Sequence, residues 1–287
     1  MARPGRKPQP RNPATPHYTP AANLPQFHLQ GTNTYLVGTG AARILIDTAE
    51  GHPDWIRTLT TTLANEKITI KTALITHWHN DHVGGIPDLL NLSPETTVWK
   101  HNPTPGSQQQ PIHDGQRFEV EGATLRAVFT PGHTEDHMCF VLEQERSVFA
   151  GDNVLGHGTT VFEDLGKYMN SLDVMLKLVE NGPKKMLYPG HGEYVTDAAR
   201  KINEYIMHRK RREKQIVDAL RGAKAEGRGR LTSLDIVKQI YGDADEGLWS
   251  AAEGGTVQVL EKLERDRSVG GEEAPVGGDR RKLWYLT

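Results

Sequence analysis

Six consecutive positions, His77-Trp78-His79-Asn80-Asp81-His82, hold three imidazoles and a carboxylate, a density of ligand-type side chains that no packing role requires. Histidine supplies only 13 of the 287 residues, so an H-x-H-x-D-H run is not an accident of composition. The run before it, Thr72-Ala73-Leu74-Ile75-Thr76, is apolar and β-branched, and Val83-Gly84-Gly85-Ile86 after it opens a turn. A strand therefore delivers the cluster to a loop at its carboxyl end, where α/β sheets place their chemistry. Imidazole and carboxylate together suit Zn²⁺, with Mn²⁺ or Fe²⁺ as alternatives.

Three further segments repeat the design. Ala123 to Phe129 runs into Thr130-Pro131-Gly132-His133, Ser147-Val148-Phe149-Ala150-Gly151 ends on Asp152, and Met186-Leu187-Tyr188-Pro189-Gly190 ends on His191. A lone His or Asp after a strand is usually a cap or turn residue. Four such strand ends in one chain reinforce one another. The set His77, His79, Asp81, His82, His133, Asp152 and His191 is too large for a single tetrahedral ion and large enough for two.

In this order the residues resemble the metallo-β-lactamase fold, in its binuclear hydrolase branch, over residues 25–215. The resemblance implies that His77, His79 and His133 hold one metal, that Asp81, His82 and His191 hold the second, and that Asp152 bridges them. It also implies that Asp47, at the end of Ile44-Leu45-Ile46, orients a ligand from behind. The family's usual Asp-Thr-Gly reads Asp47-Thr48-Ala49 here, so a slightly different loop backbone is expected. Two cations sharing an oxygen bring hydroxide within reach of neutral pH, and one of them polarises the electrophile. Asp81 is the catalytic candidate for handling the released proton.

Composition narrows the partners. A net charge of −2 offers no general basic field for nucleic acid, and Arg209-Lys210-Arg211-Arg212 and Arg280-Arg281-Lys282 read as a solvated helix face and a terminal strand. The single Cys139 excludes an intramolecular disulfide and sits in the apolar run Met138 to Leu142, where it reads as a small buried residue without a metal role. Residues 3–25 carry seven prolines, no Asp or Glu and no apolar core of a signal peptide. The chain has no apolar run of the roughly 18 residues that a membrane span needs. A cytoplasmic protein without a membrane partner is expected.

Three segments follow: a disordered Pro-rich lead-in (1–25), a hydrolase domain (26–220) and a small C-terminal domain (221–287). Within the second, Thr34 to Val37 and Arg43 to Ile46 flank Gly38-Thr39-Gly40 as a hairpin, and residues 98–150 are dense in short strands. Pro53 to Asn65 and Asp164 to Leu178 carry helical stripes, and Thr196 to Leu220 reads as a long polar helix. This α/β pattern in two halves suits a four-layer αβ/βα sandwich with the metals at one edge. In the third segment, helices over Leu231 to Tyr241 and Trp249 to Arg265, a turn-rich stretch (Gly270, Gly271, Gly277, Gly278) and a strand at Lys282 to Leu286 resemble a winged-helix appendage. Its mixed charges favour a lid or dimer element over a nucleic-acid reader.

The runs Leu29 to Gly38, Pro131 to Met138, Gly151 to Gly158 and Glu163-Asp164-Leu165 are similar to two groups within the family. One is the fungal lactamase-type thioesterases that release a polyketide from the acyl carrier domain of a partner synthase. The other is the lactamase-like protein 2 group, endoribonucleases acting on single-stranded RNA. The wording of Asp136 to Glu143 and of Asn153 and His157 is closer to the thioesterases. The expectation is a thioesterase with two divalent metals, Zn²⁺ first, a carrier-domain partner, and His157 at the substrate pocket. Nucleic acid enters only under the endoribonuclease alternative.

Overall fold

A computed structural model describes residues 17–20, 31–180, 185–242, 247, 249–273 and 281–287. In chain order these residues form β1 (His17–Pro20), β2 (Asn33–Val37), β3 (Ala42–Ile46), α1 (Pro53–Glu66), β4 (Thr69–Ile75), α2 (Asn80–Val83), α3 (Ile86–Leu92), β5 (Thr97–Lys100) and β6 (Gln110–Pro111). Then come β7 (Arg117–Val120), β8 (Ala123–Phe129), β9 (Met138–Leu142), β10 (Ser147–Gly151), α4 (Leu165–Val179), β11 (Leu187–Pro189) and α5 (Ala198–Ala225). The chain closes with β12 (Leu231–Thr232), α6 (Ser233–Tyr241), α7 (Trp249–Arg265), β13 (Val269–Glu272) and β14 (Leu283–Leu286).

Strand alternation explains the layering. In β3, Ile44 and Ile46 point into a core shared with Leu125, Ala127, Met138, Phe140 and Phe149 of the second sheet, while Leu45 points the other way onto Trp55 and Leu59 of α1. In β10, Phe149 faces the inter-sheet core, while Val148 and Ala150 face Leu172 and Met175 of α4. One sheet runs β1-β2-β3-β4-β5-β6 and the other β11-β10-β9-β8-β7. With α1 and α3 outside the first and α4 and α5 outside the second, the four layers of the expected αβ/βα sandwich are in place.

The helices form where periodicity and caps coincide. Helix α1 starts with Pro53, the His52 Nδ1 accepts the Asp54 N–H, and the helix ends at Lys67 with φ of 55°. Trp55 and Leu59 are fully buried, each worth roughly 1.5–3 kcal/mol relative to exposure. Asp164 caps α4 by accepting the Lys167 N–H, and Leu165, Tyr168, Leu172, Met175 and Val179 form its inward stripe.

The hairpin of β2 and β3 and the helices read from periodicity are present. The turn read at Val83-Gly84-Gly85-Ile86 is present, with Gly84 and Gly85 linking the end of α2 to the start of α3. Two local readings are corrected. Gly270 and Gly271, read as turn residues, lie in β13, where a Cβ on Gly270 would collide with the Tyr285 ring across the ladder. Within the Pro-rich lead-in, His17 to Pro20 pair with β2, since Tyr and Thr suit a strand and Pro20 falls at its end on an edge. The rest of residues 1–25, and Gly277 and Gly278, lie outside the described residues.

The C-terminal elements do not hang free. Strands β12, β14 and β13 form a small sheet, and Leu231, Ile236, Leu260, Leu263 and Trp284 share one core with Ile216 and Leu220 of α5. Arg265 Nη1 pairs with Asp164 at 2.8 Å, and Gln258 Nε2 donates to the Phe162 carbonyl at 2.7 Å. The segment is pinned to the loop before α4. Among the described residues no helix is long and apolar enough to cross a membrane.

Cys139 is fully buried on the outward face of β9, as the sequence suggests. Burial pushes its thiol up to about 12. The native protein is therefore expected to resist iodoacetamide at pH 8 and to take up one equivalent after unfolding, read by intact mass; rapid labelling of the folded chain would contradict it.

Candidate metal centre

Strands β8, β10 and β11 run parallel to one another in their sheet, as β3, β4 and β5 do in theirs, so their carboxyl ends collect at one rim. Every candidate ligand leaves from that rim. His77 follows β4 directly, His79 is the residue before α2, and Asp81 and His82 lie within its single turn. His133 follows β8, Asp152 follows β10, and His191 follows β11.

The seven side chains fall into two groups that share Asp152. The first is His77, His79, His133 and Asp152, and the second is Asp81, His82, Asp152 and His191. In the first, His77 Nε2, His79 Nδ1 and His133 Nε2 lie 3.0, 3.1 and 3.2 Å from one another. In the second, His191 Nε2 is 3.1 Å from both Asp81 Oδ2 and Asp152 Oδ2, and His82 Nε2 is 3.5 Å from Asp81 Oδ2 and from Asp152 Oδ1.

The outer hydrogen bonds determine which nitrogen faces inward. His82 Nδ1 is 2.8 Å from Asp47 Oδ2, His133 Nδ1 is 2.9 Å from the Val161 carbonyl, and His191 Nδ1 is 3.0 Å from the Gly31 carbonyl. Those oxygens only accept, so each Nδ1 carries a proton and Nε2 is the nitrogen left to face a metal. Thr76 Oγ1 donates to Asp47 and accepts from His77 Nδ1 at 2.9 Å, with the same result for His77. Lone pairs at about 3 Å repel unless a cation sits between them. His82 Nε2 and Asp152 Oδ1, both buried, have no hydrogen-bond partner at all. The donor set therefore fits metal ions on grounds internal to the structure.

The electrostatics agree. Burial, followed by the neighbouring His82, holds His77 well below the ordinary histidine range, leaving a neutral imidazole. Burial and His133 lower His79 as well. In the second group burial works the other way from the outcome. It would lower His191, but the Asp152 charge and hydrogen bonds to Asp152 and Asp81 raise it to about 10. His82 is raised well above its usual value by Asp152 and Asp47 against the same burial. Burial would raise Asp152, but His82 and His191 hold it well below the carboxylate range. Metal uptake by the second group must expel protons, so apparent affinity is expected to rise with pH. Competition with a chelator at pH 6 and pH 8 reads this; tighter binding at pH 6 would contradict it.

Asp47 is the hub behind the centre. It is 1 % exposed, has φ of 57°, and accepts from Thr76 N–H at 2.8 Å, from Thr76 Oγ1 and from His82 Nδ1. Thr48 N–H and Oγ1 each donate to the His82 carbonyl at 2.9 Å. Ala49 has a φ of 55°, in the left-handed region that glycine favours. Asp47→Ala is expected to weaken metal binding about 10–100-fold, with His82's group failing first, measured by chelator competition. Unchanged affinity would remove Asp47 from this role.

Several supports were not legible in the sequence. His137, fully buried, accepts the Asp152 N–H at Nε2 (3.2 Å) and donates from Nδ1 to Thr130 Oγ1 (3.1 Å). Asn33 Nδ2 donates to the Pro189 and Gly192 carbonyls on either side of His191. Lys100 and Asp136, 3 % and 4 % exposed, form an ion pair under the His133 loop. Gly190 allows the close approach of β11, since a Cβ there would collide with Asp152 Oδ1. The sequence signals were a second His four residues after His133 and the Thr76, Thr130 and Asn153 beside three of the four strand ends.

Asp81 is the most open of the acidic groups, with 37 % of its side chain exposed, and Thr32 Oγ1 donates to it at 3.2 Å. Burial would raise its carboxyl, but His191 and His82, facing it at 3.1 and 3.5 Å, hold it well below the usual range. His157 stands apart from both groups; its Nδ1 lies 3.2 Å from where a Cβ on Gly192 would be. Around the centre, Trp78 is 52 % exposed against His79, with ring centroids 4.6 Å apart, and Val161 is 72 % exposed.

Fold and site together define a metallohydrolase built on two facing sheets, with two ligand groups sharing one aspartate. The sequence profile of the Metallo-beta-lactamase superfamily matches residues 29–191, and that of the beta-lactamase associated winged helix domain matches residues 232–277. The chain belongs to the metallo-β-lactamase superfamily. It is 48 % identical over 271 residues to the lactamase-like protein adaB of Aspergillus niger, covering 92 % of this chain and 83 % of the relative. It is also 48 % identical over 271 residues to a protein of Aspergillus chevalieri named atrochrysone carboxyl ACP thioesterase, covering 93 % of this chain and 85 % of that one. A metallo-β-lactamase family protein from Thermus thermophilus shares the fold, with a TM-score of 0.72, 22 % identity and coverage of 96 % of this chain and 99 % of that one.

Proposed function

We propose that the protein is a metal-dependent thioesterase that releases a polyketide acyl group from the acyl carrier domain of a partner synthase. The observation that carries the reading is a complete two-group ligand set in a chain 48 % identical, over 93 % of its length, to a protein named as a carrier-protein thioesterase. In this reading His77, His79 and His133 hold one divalent ion, Asp81, His82 and His191 hold the other, and Asp152 is shared. The imidazole-rich donors suit Zn²⁺, with Mn²⁺ and Fe²⁺ accommodated by the carboxylates. Residues 26–220 form the hydrolase domain and 221–287 the winged-helix domain, and the free Cys139 suits a cytoplasmic setting.

Two divalent ions bound there supply a nucleophile at neutral pH and polarise the thioester carbonyl. The protein's own groups do the rest. Water adds to the carbonyl carbon, the C–S bond breaks, and the products are a carboxylic acid and a thiol. Asp81, ionised at neutral pH and open to the mouth, takes the proton released from the water and returns it to the departing sulfur. Trp78 and Val161 offer apolar surface beside the centre for the acyl group. His157, beside the turn after His191, borders the substrate pocket.

The test is direct. The purified, metal-replete protein is incubated with an aryl thioester and with a synthase loaded with its polyketide, and the free acid is followed by mass spectrometry. Acid release abolished by chelation and restored by metal is expected. No acid from either substrate would overturn the reading.

A further inference from the structure

The basic run Arg209 to Arg212 reads from sequence as a solvated helix face, but the structure turns two of its members inward. Arg209 and Arg212, one turn apart on α5, face a cavity of about 310 Å³ between α5, α7 and the loop before α4. Arg209 Nη2 donates to the Thr160 carbonyl at 2.5 Å, and its guanidinium lies 4.8 Å from the Phe162 ring centroid. Its Nε is buried without a partner. Arg212 lies 4.4 Å from the Tyr241 ring centroid. Among the described residues neither arginine pairs with a carboxylate and no Asp or Glu lines the cavity. Other cations of the same helices do pair: Arg200 with Glu204, Lys214 with Asp218, Lys262 with Glu213, Arg265 with Asp164. Burial, and then Arg209, Arg212 and Arg211, lower His208 beside the cavity.

The cavity adjoins the metal centre through one loop. Thr160 Oγ1 lies 3.1 Å from His133 Nδ1, and the Val161 carbonyl accepts from that same nitrogen, while Thr160 and Val161 also wall the cavity. On the opposite wall, Gly255 sits inside α7, where a Cβ would touch nothing within 4 Å. A glycine there weakens the helix with no packing reason, and it keeps the cavity open.

We propose that this cavity is an anion subsite in which Arg209 and Arg212 grip the phosphodiester of a carrier-bound phosphopantetheine arm. The arm's thioester end then passes over the Thr160–Val161 loop to the metal centre. The inference rests on the thioesterase reading above and deepens it. Guanidinium groups backed by aromatic rings and, among the described residues, free of carboxylates match a phosphate oxygen pair in charge and in fork geometry. The Phe162 and Tyr241 rings suit the arm's apolar dimethyl unit next to that phosphate.

The experiment compares probes that differ only in the phosphate. Calorimetry with the metal-replete protein measures 4′-phosphopantetheine against pantetheine, with about tenfold tighter binding expected for the former, typical of one charge-assisted contact pair. In hydrolysis, one acyl group is presented on phosphopantetheine and on pantetheine, and the ratio of their KM values is expected to be about tenfold. Arg212→Ala should collapse that ratio, and Arg212→Lys should restore part of it. Gly255→Leu fills the cavity with a better helix former and should collapse the ratio while the protein melts no lower. Equal binding of phosphopantetheine and pantetheine, or a ratio unmoved by both Arg212→Ala and Gly255→Leu, overturns the subsite. Binding of a single-stranded RNA oligonucleotide that depends on Arg212, with no binding of phosphopantetheine, also overturns it. Hydrolysis of neither thioester, with the phosphate preference intact in calorimetry, would instead count against the thioesterase reading and leave the subsite standing.

Discussion

Asp152→Ala is expected to lose metal from both halves of the centre and to abolish turnover. Asp152 is the one side chain common to the two groups, it is 6 % exposed, and His82, His133 and His191 all face its carboxylate within 3.7 Å. Removing it deprives each ion of a ligand and leaves the raised His82 and His191 without their main counter-charge. The loss should exceed the roughly 10–100-fold expected for Asp47→Ala, which acts through His82 and His77 only. His157→Ala, outside both groups, should leave metal content intact. Plasma emission analysis of the three purified variants gives the answer. Two ions per chain retained in Asp152→Ala would mean that the shared position is wrongly assigned.

The largest effect on stability is expected from Asp136→Ala. Lys100 and Asp136 are almost fully buried, and Lys100 Nζ also donates to the His101 and Asn102 carbonyls at 3.1 and 2.9 Å. Asp136 Oδ1 accepts from Thr134 Oγ1 at 2.8 Å, so the pair pins the loop that carries His133. Removing one partner strands a buried charge, which costs about 3–5 kcal/mol. Urea denaturation of the metal-free protein measures it without interference from metal linkage. The double substitution Lys100→Met with Asp136→Leu should recover most of the loss, because two apolar side chains leave no unpaired charge. A loss below about 1 kcal/mol for Asp136→Ala would show that water reaches the pair.

The likeness between expectation and structure is closest where the signal is local. The H-x-H-x-D-H run, the strand ends at His133, Asp152 and His191, and the stripes of α1 and α4 rest on residue types at short spacing, and all fall where the sequence places them. Local reading failed where a neighbour decides. Gly270 and Gly271 look like turn residues but serve a strand, because Tyr285 and Lys282 cover them from β14 and the residue before it. Arg209 looks solvated on its own helix and is held inward by Phe162 and the Thr160 carbonyl, both far earlier in the chain.

By itself, then, the sequence determined the kinds of ligand, their order along the chain and the strand ends that carry them, because metal donors and hydrophobic period are written in consecutive residues. The resemblance it carries also implied the division of the seven side chains around Asp152; only the tertiary structure decided which nitrogen of each imidazole faces inward, and that His137 and the Lys100–Asp136 pair hold the loops from beneath. Those outcomes depend on groups brought together by the fold across 15 to 160 residues of chain, as between His137 and Asp152 or His191 and Gly31. No periodicity records such distances; the packing of the two sheets sets them.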